Sequence, residues 1–118
     1  MKRDWDIVRR LLLAIEQLPD ENSQITRDAV RGIDPVEAAY HLRLMRDAGL
    51  ITGGCREALG PSWCYATGLT WNGHEFLDRI RSDTTWHRIK TTAREKSLDM
   101  SSHSILAVAQ WLTGQGLS

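Results

Sequence analysis

The stretch from Tyr40 to Ile51, Tyr-His-Leu-Arg-Leu-Met-Arg-Asp-Ala-Gly-Leu-Ile, constrains this chain more than any other. Taken with Val36 and Ala39, it places apolar residues at Val36, Ala39, Leu42, Met45 and Ala48. Their regular spacing lays them along one side of a helix, with Glu37, Arg43, Arg46 and Asp47 largely off it. Gly49 ends that helix, because glycine takes the left-handed conformation of a C-terminal cap without a Cβ penalty. Leu50 and Ile51 form an apolar, strand-like exit, and Gly53-Gly54 breaks the pattern again. A short helix, a glycine stop and an apolar strand make the second half of a winged helix-turn-helix.

The flanks extend this reading. Asp4 caps a first helix that runs to about Leu18, with Ile7, Val8, Leu11, Leu12, Ile15 and Leu18 as a broad apolar stripe and Pro19 as its stop. Asp20 to Ser23 is a polar loop, and Gln24-Ile25-Thr26 pairs as a short strand. Thr26 or Asp28 then opens a helix of one or two turns reaching Arg31, with Gly32 as its stop. Asp34-Pro35 starts the next helix, since Asp caps and Pro suits the first helical position. Beyond Ile51, Thr52–Arg56 and Trp63–Leu69 read as the two strands of the wing, with Trp63, Tyr65, Thr67 and Leu69 alternating on one face. Thr70 or Asn72 caps a helix carrying Phe76, Leu77 and Ile80. A basic helix covers Asp83–Ser97 with Trp86, Ile89 and Ala93 on one face, and a terminal helix runs from Ser104 to about Leu112. The expected class is mostly α with a small β wing: a winged-helix core over 1–82 and a C-terminal helical extension over 83–118. Leu12, Leu42, Met45, Leu50, Phe76 and Leu77 form its core.

Length and composition bound the function. A chain of 118 residues is one domain by size. Fifteen basic residues against fifteen acidic exclude a scaffold that coats nucleic acid indiscriminately, though not a local basic face. No apolar run approaches the ~18 residues that span a bilayer, and Met1-Lys2-Arg3-Asp4 lacks the order of a signal peptide. A cytoplasmic protein is expected, and from that compartment Cys55 and Cys64, nine positions apart in the wing, are expected as reduced thiols. A cross-strand disulfide or redox switch and a metal site are the competing readings. Two cysteines cannot fill a four-ligand zinc site, so no metal and no cofactor are expected.

Candidate binding residues follow from the fold expectation. The exposed side of the recognition helix would include Glu37, Tyr40, His41, Arg43, Leu44 and Asp47, with Arg46 beside it and Arg56 in the wing. Arg43 suits a guanine edge bidentately, and Tyr40 suits a phosphate. Against this, residues 35–60 balance Arg43, Arg46 and Arg56 with Glu37, Asp47 and Glu57. That balance suits a solvated mixed-charge face equally well. Positive charge gathers instead between Arg79 and Lys96, a net +4 that includes Arg88 and Lys90. An ordinary exposed helix accounts for such a run more often than an anion-binding face does. Five tryptophans are many for this length, and Trp5, Trp71 and Trp86 stand at element starts, where bracing of junctions is expected. Leu106 and Trp111 lie off the stripe of Ile105, Val108, Ala109 and Leu112, so the last helix is apolar on two sides and suits a homodimer seam. Catalysis is not expected: after His74-Glu75 the position required of a second zinc-binding histidine holds Asp78, and the glycines follow turn logic rather than a phosphate loop.

Two resemblances sharpen the picture. His41-Leu42-x-x-Met45-x-x-x-Gly49-Leu50 resembles the recognition-helix region of arsenic-repressor-type regulators, with Met45 in the place of a leucine. Lys2-Arg3-Asp4-Trp5-Asp6-Ile7-Val8-Arg9 and Leu69-Thr70-Trp71-Asn72-Gly73-His74-Glu75-Phe76-Leu77-Asp78, followed by Asp83-Thr84-x-Trp86, resemble the signatures of an uncharacterised family of bacterial and phage proteins. The likeness covers about residues 2–90 and implies a winged-helix fold and a bacterial or phage origin. It brings no activity and no site residues. Two functions from different classes are therefore expected to compete: a regulator that binds double-stranded DNA as a homodimer, and a small module that engages a host protein through the same scaffold, neither involving a membrane.

Overall fold

A computed structural model describes residues 1–56, 64–95, 105, 107 and 108. Among these, the order is α1 (Trp5–Glu16), α2 (Pro35–Asp47), β1 (Ile51–Cys55), β2 (Cys64–Leu69), α3 (Trp71–Ile80) and α4 (Asp83–Glu95). The fold is helix-rich with one small antiparallel hairpin. It divides into two compact units, Met1–Leu77 and Asp78–Ser118.

In the first unit α1 begins where Asp4 Oδ1 accepts from the amides of Asp6 (2.9 Å) and Ile7 (3.4 Å), quenching two orphan donors. Trp5, Val8, Leu11, Leu12 and Ile15 are buried. The helix ends at Glu16, short of the expected Leu18, because the last amides reach back only three residues, Gln17 to Ala14 O and Leu18 to Ile15 O. The chain then returns to the sheet as a single bridge. Ile25 donates to Ala66 O (2.8 Å), and Ala66 donates to Ile25 O (2.9 Å).

The helix expected between Thr26 and Arg31 does not form. Turns occupy the segment, held by Ala29 N–H on Thr26 O (3.1 Å) and by the Arg10 guanidinium on Arg31 O (2.5 Å). The reason is length. Between the bridge at Ile25 and the cap at Asp34 too few residues remain to repay the cost of helix nucleation.

Asp34 Oδ2 caps α2 through the amides of Val36 (3.0 Å) and Glu37 (3.2 Å), with Pro35 inside the first turn. The buried stripe is Ala38, Ala39, His41, Leu42 and Met45. This corrects the expected stripe at its two ends: Val36 is 51% exposed and Ala48 is exposed. A strict spacing of three falls behind the helical period of 3.6, so its outer members rotate off the core. Gly49 stops the helix with φ +77, as its position requires.

β1 and β2 pair from Ile51↔Leu69 to Cys55↔Cys64, with Thr67 as an extra residue opposite the Thr52/Gly53 step. The expected alternation holds through Thr67: Tyr65 and Thr67 share the half-exposed face, while Cys64 and Ala66 are buried. The hairpin register also overturns the expectation of free thiols. Cys55 and Cys64 stand directly opposite each other, Cα atoms 3.8 Å apart, and are joined as a disulfide. The register brings the two sulfurs within bonding reach, and the cross-strand disulfide, the competing reading, is the one the structure holds.

Thr70 ties the hairpin to α3. Its hydroxyl donates to Gly49 O (2.5 Å) and accepts from Gly73 N–H (3.0 Å), while its amide donates to Leu50 O (3.0 Å). The helix approaches so closely that a Cβ at Gly73 would lie 1.9 Å from Leu50 O. Phe76 and Leu77 are buried, Phe76 stacking on Trp5 with ring centres 5.6 Å apart. Leu12, Leu42, Met45 and Leu50 share this burial, as expected. Trp71 does not brace a junction: it is 79% exposed, since the inward positions of α3 are Gly73, Phe76, Leu77 and Ile80, and Trp71 sits off that stripe.

In the second unit Ser82 caps α4 through the Thr85 amide (3.3 Å), and Trp86, Ile89 and Ala93 are buried on one face as expected. Ile105 and Val108 are helical and buried. Leu106, Ala109, Trp111 and Leu112 lie outside the described residues, as do Trp63 and the tip of the hairpin.

Candidate functional site

The outer side of α2 is set by its inner side. With Ala38, His41, Leu42 and Met45 turned to the core, Val36, Glu37, Arg43, Arg46 and Asp47 are exposed, and Tyr40 and Leu44 are half-exposed. Val36, Tyr40, Arg43 and Asp47 follow one another at spacings of three and four and so form one ridge. The Arg43 guanidinium lies 5.8 Å from the centre of the Tyr40 ring, within reach of the ring's negative face. Arg56, exposed just after β1, sits in the same way 5.6 Å from Tyr65. Both guanidinium groups thus lie over a ring while remaining exposed to solvent.

His41 is the clear correction among the candidate residues. It is 1% exposed, with its ring held by two backbone groups, and takes no part in the outer face. Helical spacing explains it, because His41 stands three after Ala38 and four before Met45, on the buried stripe. Arg88 and Lys90 belong to the second unit. Arg88 is exposed, whereas Lys90 is half-buried with its ammonium 5.5 Å from the centre of the Trp86 ring. Tyr40, Arg43 and Arg46 thus share one helix of the first unit with Arg56 on its hairpin, and Arg88 and Lys90 share another helix in the second. The proposed seam residues Leu106 and Trp111 lie outside the described residues.

The charge of the α2 face is balanced, Arg43 and Arg46 against Glu37 and Asp47. Two exposed apolar groups were not expected. Val36 would have been found by counting the stripe at 3.6 rather than three, and Trp71 by noting that it precedes Gly73 by two positions. Among the described residues no group of three or more His, Cys, Asp or Glu side chains is arranged to hold a metal. No described helix is long and apolar enough to cross a membrane.

Residues 2–99 match the family described as Hypothetical protein (DUF2513), and the chain belongs to that family. An uncharacterized protein of Haemophilus influenzae (strain ATCC 51907 / DSM 11121 / KW20 / Rd) is 41% identical to it over 118 residues, 100% of each chain. No solved structure matches.

Proposed function

We propose that residues 1–77 form a winged helix that binds double-stranded DNA, with α2 as the recognition helix, in a bacterial or phage regulator. One observation carries the reading. The bridge of Ile25 to Ala66 sets the segment before α2 on the side of β2 away from β1, which is the strand order of a winged-helix sheet. A helix followed directly by such a hairpin can present its outer ridge to a major groove while the hairpin reaches the neighbouring backbone. Tyr40, Arg43 and Arg46 would then make the α2 contacts and Arg56 those of the hairpin. Arg88 and Lys90 are proposed separately, on the charge of the second unit alone, as phosphate contacts of that unit.

A second reading, a protein-binding module on the same scaffold, is favoured by the balanced charge of the ridge and by its exposed Val36. Most of the affinity for DNA comes from phosphate neutralisation, and this face supplies little net charge for it. Fluorescence anisotropy on random duplex DNA over a salt series separates the two. A DNA-binding protein shows affinity falling steeply as salt rises, and absence of binding even at low salt leaves the protein-binding reading standing alone. Assembly as a homodimer through Leu106 and Trp111 belongs to the same proposal, on the two-sided apolar pattern of the last segment. Light scattering that finds a monomer at every accessible concentration rules it out.

A further inference from the structure

The first unit carries a second surface, remote in sequence from the α2 ridge. Between the end of α1 and the end of β2 the chain leaves an open groove of about 230 Å³. Its floor is apolar, formed by Ile15, Leu18 and Leu69, and its rim holds Glu16, Asp20 and Glu21. Asp20 is fixed in place: its Oδ1 accepts from Asn22 N–H (3.0 Å), Ser23 N–H (2.9 Å) and the Ser23 hydroxyl (2.9 Å). Thr67, Gly68 and the backbone of Leu69 close the opposite wall, and His74 completes the lining. The volume lies below the roughly 300–1,000 Å³ of small-molecule pockets, which argues for one long side chain rather than a cofactor.

Two features say what that side chain belongs to. A methylene stem over an apolar floor with a cationic head among carboxylates is how arginine and lysine partition, and arginine's planar fork suits carboxylates best. The wall at Thr67–Leu69 is also a strand edge. β1 occupies one side of β2, and on the other side only Ile25 meets it, at Ala66 alone, so beyond Ala66 no strand lies against that side among the described residues. Such an edge accepts an extended segment as an added strand. We propose that this groove docks an extended, arginine-bearing segment of a partner protein, its backbone beside Thr67–Leu69 and one arginine seated among Glu16, Asp20 and Glu21. The inference does not depend on the DNA reading, since α2 takes no part in it.

The test uses the full chain and a fluorescein-labelled peptide of alternating arginine and valine, compared with the same peptide carrying glutamine at every arginine. Anisotropy should show saturable binding of the arginine peptide and at least tenfold weaker binding of the glutamine one, roughly the effect of losing one charge-assisted hydrogen bond. The double variant Glu16→Gln/Glu21→Gln should lose binding by a similar factor, while Asp28→Asn, which removes a surface carboxylate elsewhere, should not. Amide chemical shifts of the wild-type chain should move at Thr67, Gly68 and Leu69. No binding at millimolar peptide overturns the proposal. So does equal loss in Asp28→Asn and the double variant, which would mean attraction to surface charge at large, or amide shifts confined to α2. Unchanged shifts elsewhere in the variants establish that they remain folded.

Discussion

His41 and Asp4 are joined across 37 positions of sequence: the Asp4 backbone N–H donates to His41 Nε2 at 2.8 Å. An amide only donates and a carbonyl only accepts, so the other ring nitrogen, Nδ1, must carry the proton that it gives to Glu37 O at 2.7 Å. The ring thereby ties the start of α1 to the inner side of α2. His41→Phe keeps the ring and removes both bonds. It should cost about 1–3 kcal/mol, the penalty of leaving polar groups unpaired. A urea midpoint equal to wild type would show that the link contributes nothing.

Leu42 is fully buried at the centre of α2's inner stripe. Leu42→Ala should destabilise by roughly 2–5 kcal/mol, the range for large-to-small core changes. A loss under about half a kilocalorie per mole, typical of surface substitutions, would contradict the placement of that stripe.

Gly73 gives a prediction of opposite sign to helix propensity. In an ordinary helix, Gly→Ala stabilises by about 1 kcal/mol. Here the added Cβ would stand 1.9 Å from Leu50 O, a rigid backbone atom, so Gly73→Ala should destabilise by about 1–3 kcal/mol, as overpacking does. Thermal melts read the sign directly. A stabilised Gly73→Ala protein would mean that α3 does not press on the α2–β1 junction.

The disulfide between Cys55 and Cys64 closes a loop nine positions long in sequence separation. Chain-entropy arguments give such a loop about 2–3 kcal/mol of stabilisation. Urea melts with and without a phosphine reductant should differ by that amount, and a free-thiol assay on the untreated protein should find no reactive cysteine.

If α2 enters a groove, Arg43→Ala should cost about 1–3 kcal/mol at one base position and relax preference there. Arg88→Ala should instead weaken every sequence alike and reduce the salt slope, as loss of a phosphate contact does. Site selection from a random library distinguishes the two patterns. Identical selected sites and affinities for Arg43→Ala and wild type would remove Arg43 from the interface.

Much of the fold could be read from local chemistry. Asp4 and Asp34 announce two helix starts through their carboxylates, Gly49 announces a stop through its φ, and the core residues from Leu12 to Leu77 declare themselves by period. What could not be read depended on contacts distant in sequence. The segment after Ile25 contains capping residues, yet whether they start a helix was settled by how little chain separates the Ala66 bridge from Asp34. Cys55 and Cys64 carry no local sign of oxidation, and their bond follows from a register that the bulge at Thr67 shifts by one residue, without which Cys55 would face Tyr65. His41 looked exposed because polar residues usually are, although its position on the 3.6 period said otherwise. The groove had no signature at all, since Ile15, Asp20 and Leu69 meet only after the chain has folded back.

The bond that closes the hairpin also alters what a single break in the backbone can do. Cleavage at any peptide link between Cys55 and Cys64 would leave the N-terminal and C-terminal halves in one covalent piece, because the sulfur bridge spans the cut. A protein nicked there would migrate as an intact chain under non-reducing conditions and part into two fragments only with a reductant. The hairpin is thus a second point of covalent continuity, and a protease acting on it alone could not separate α2 from α3.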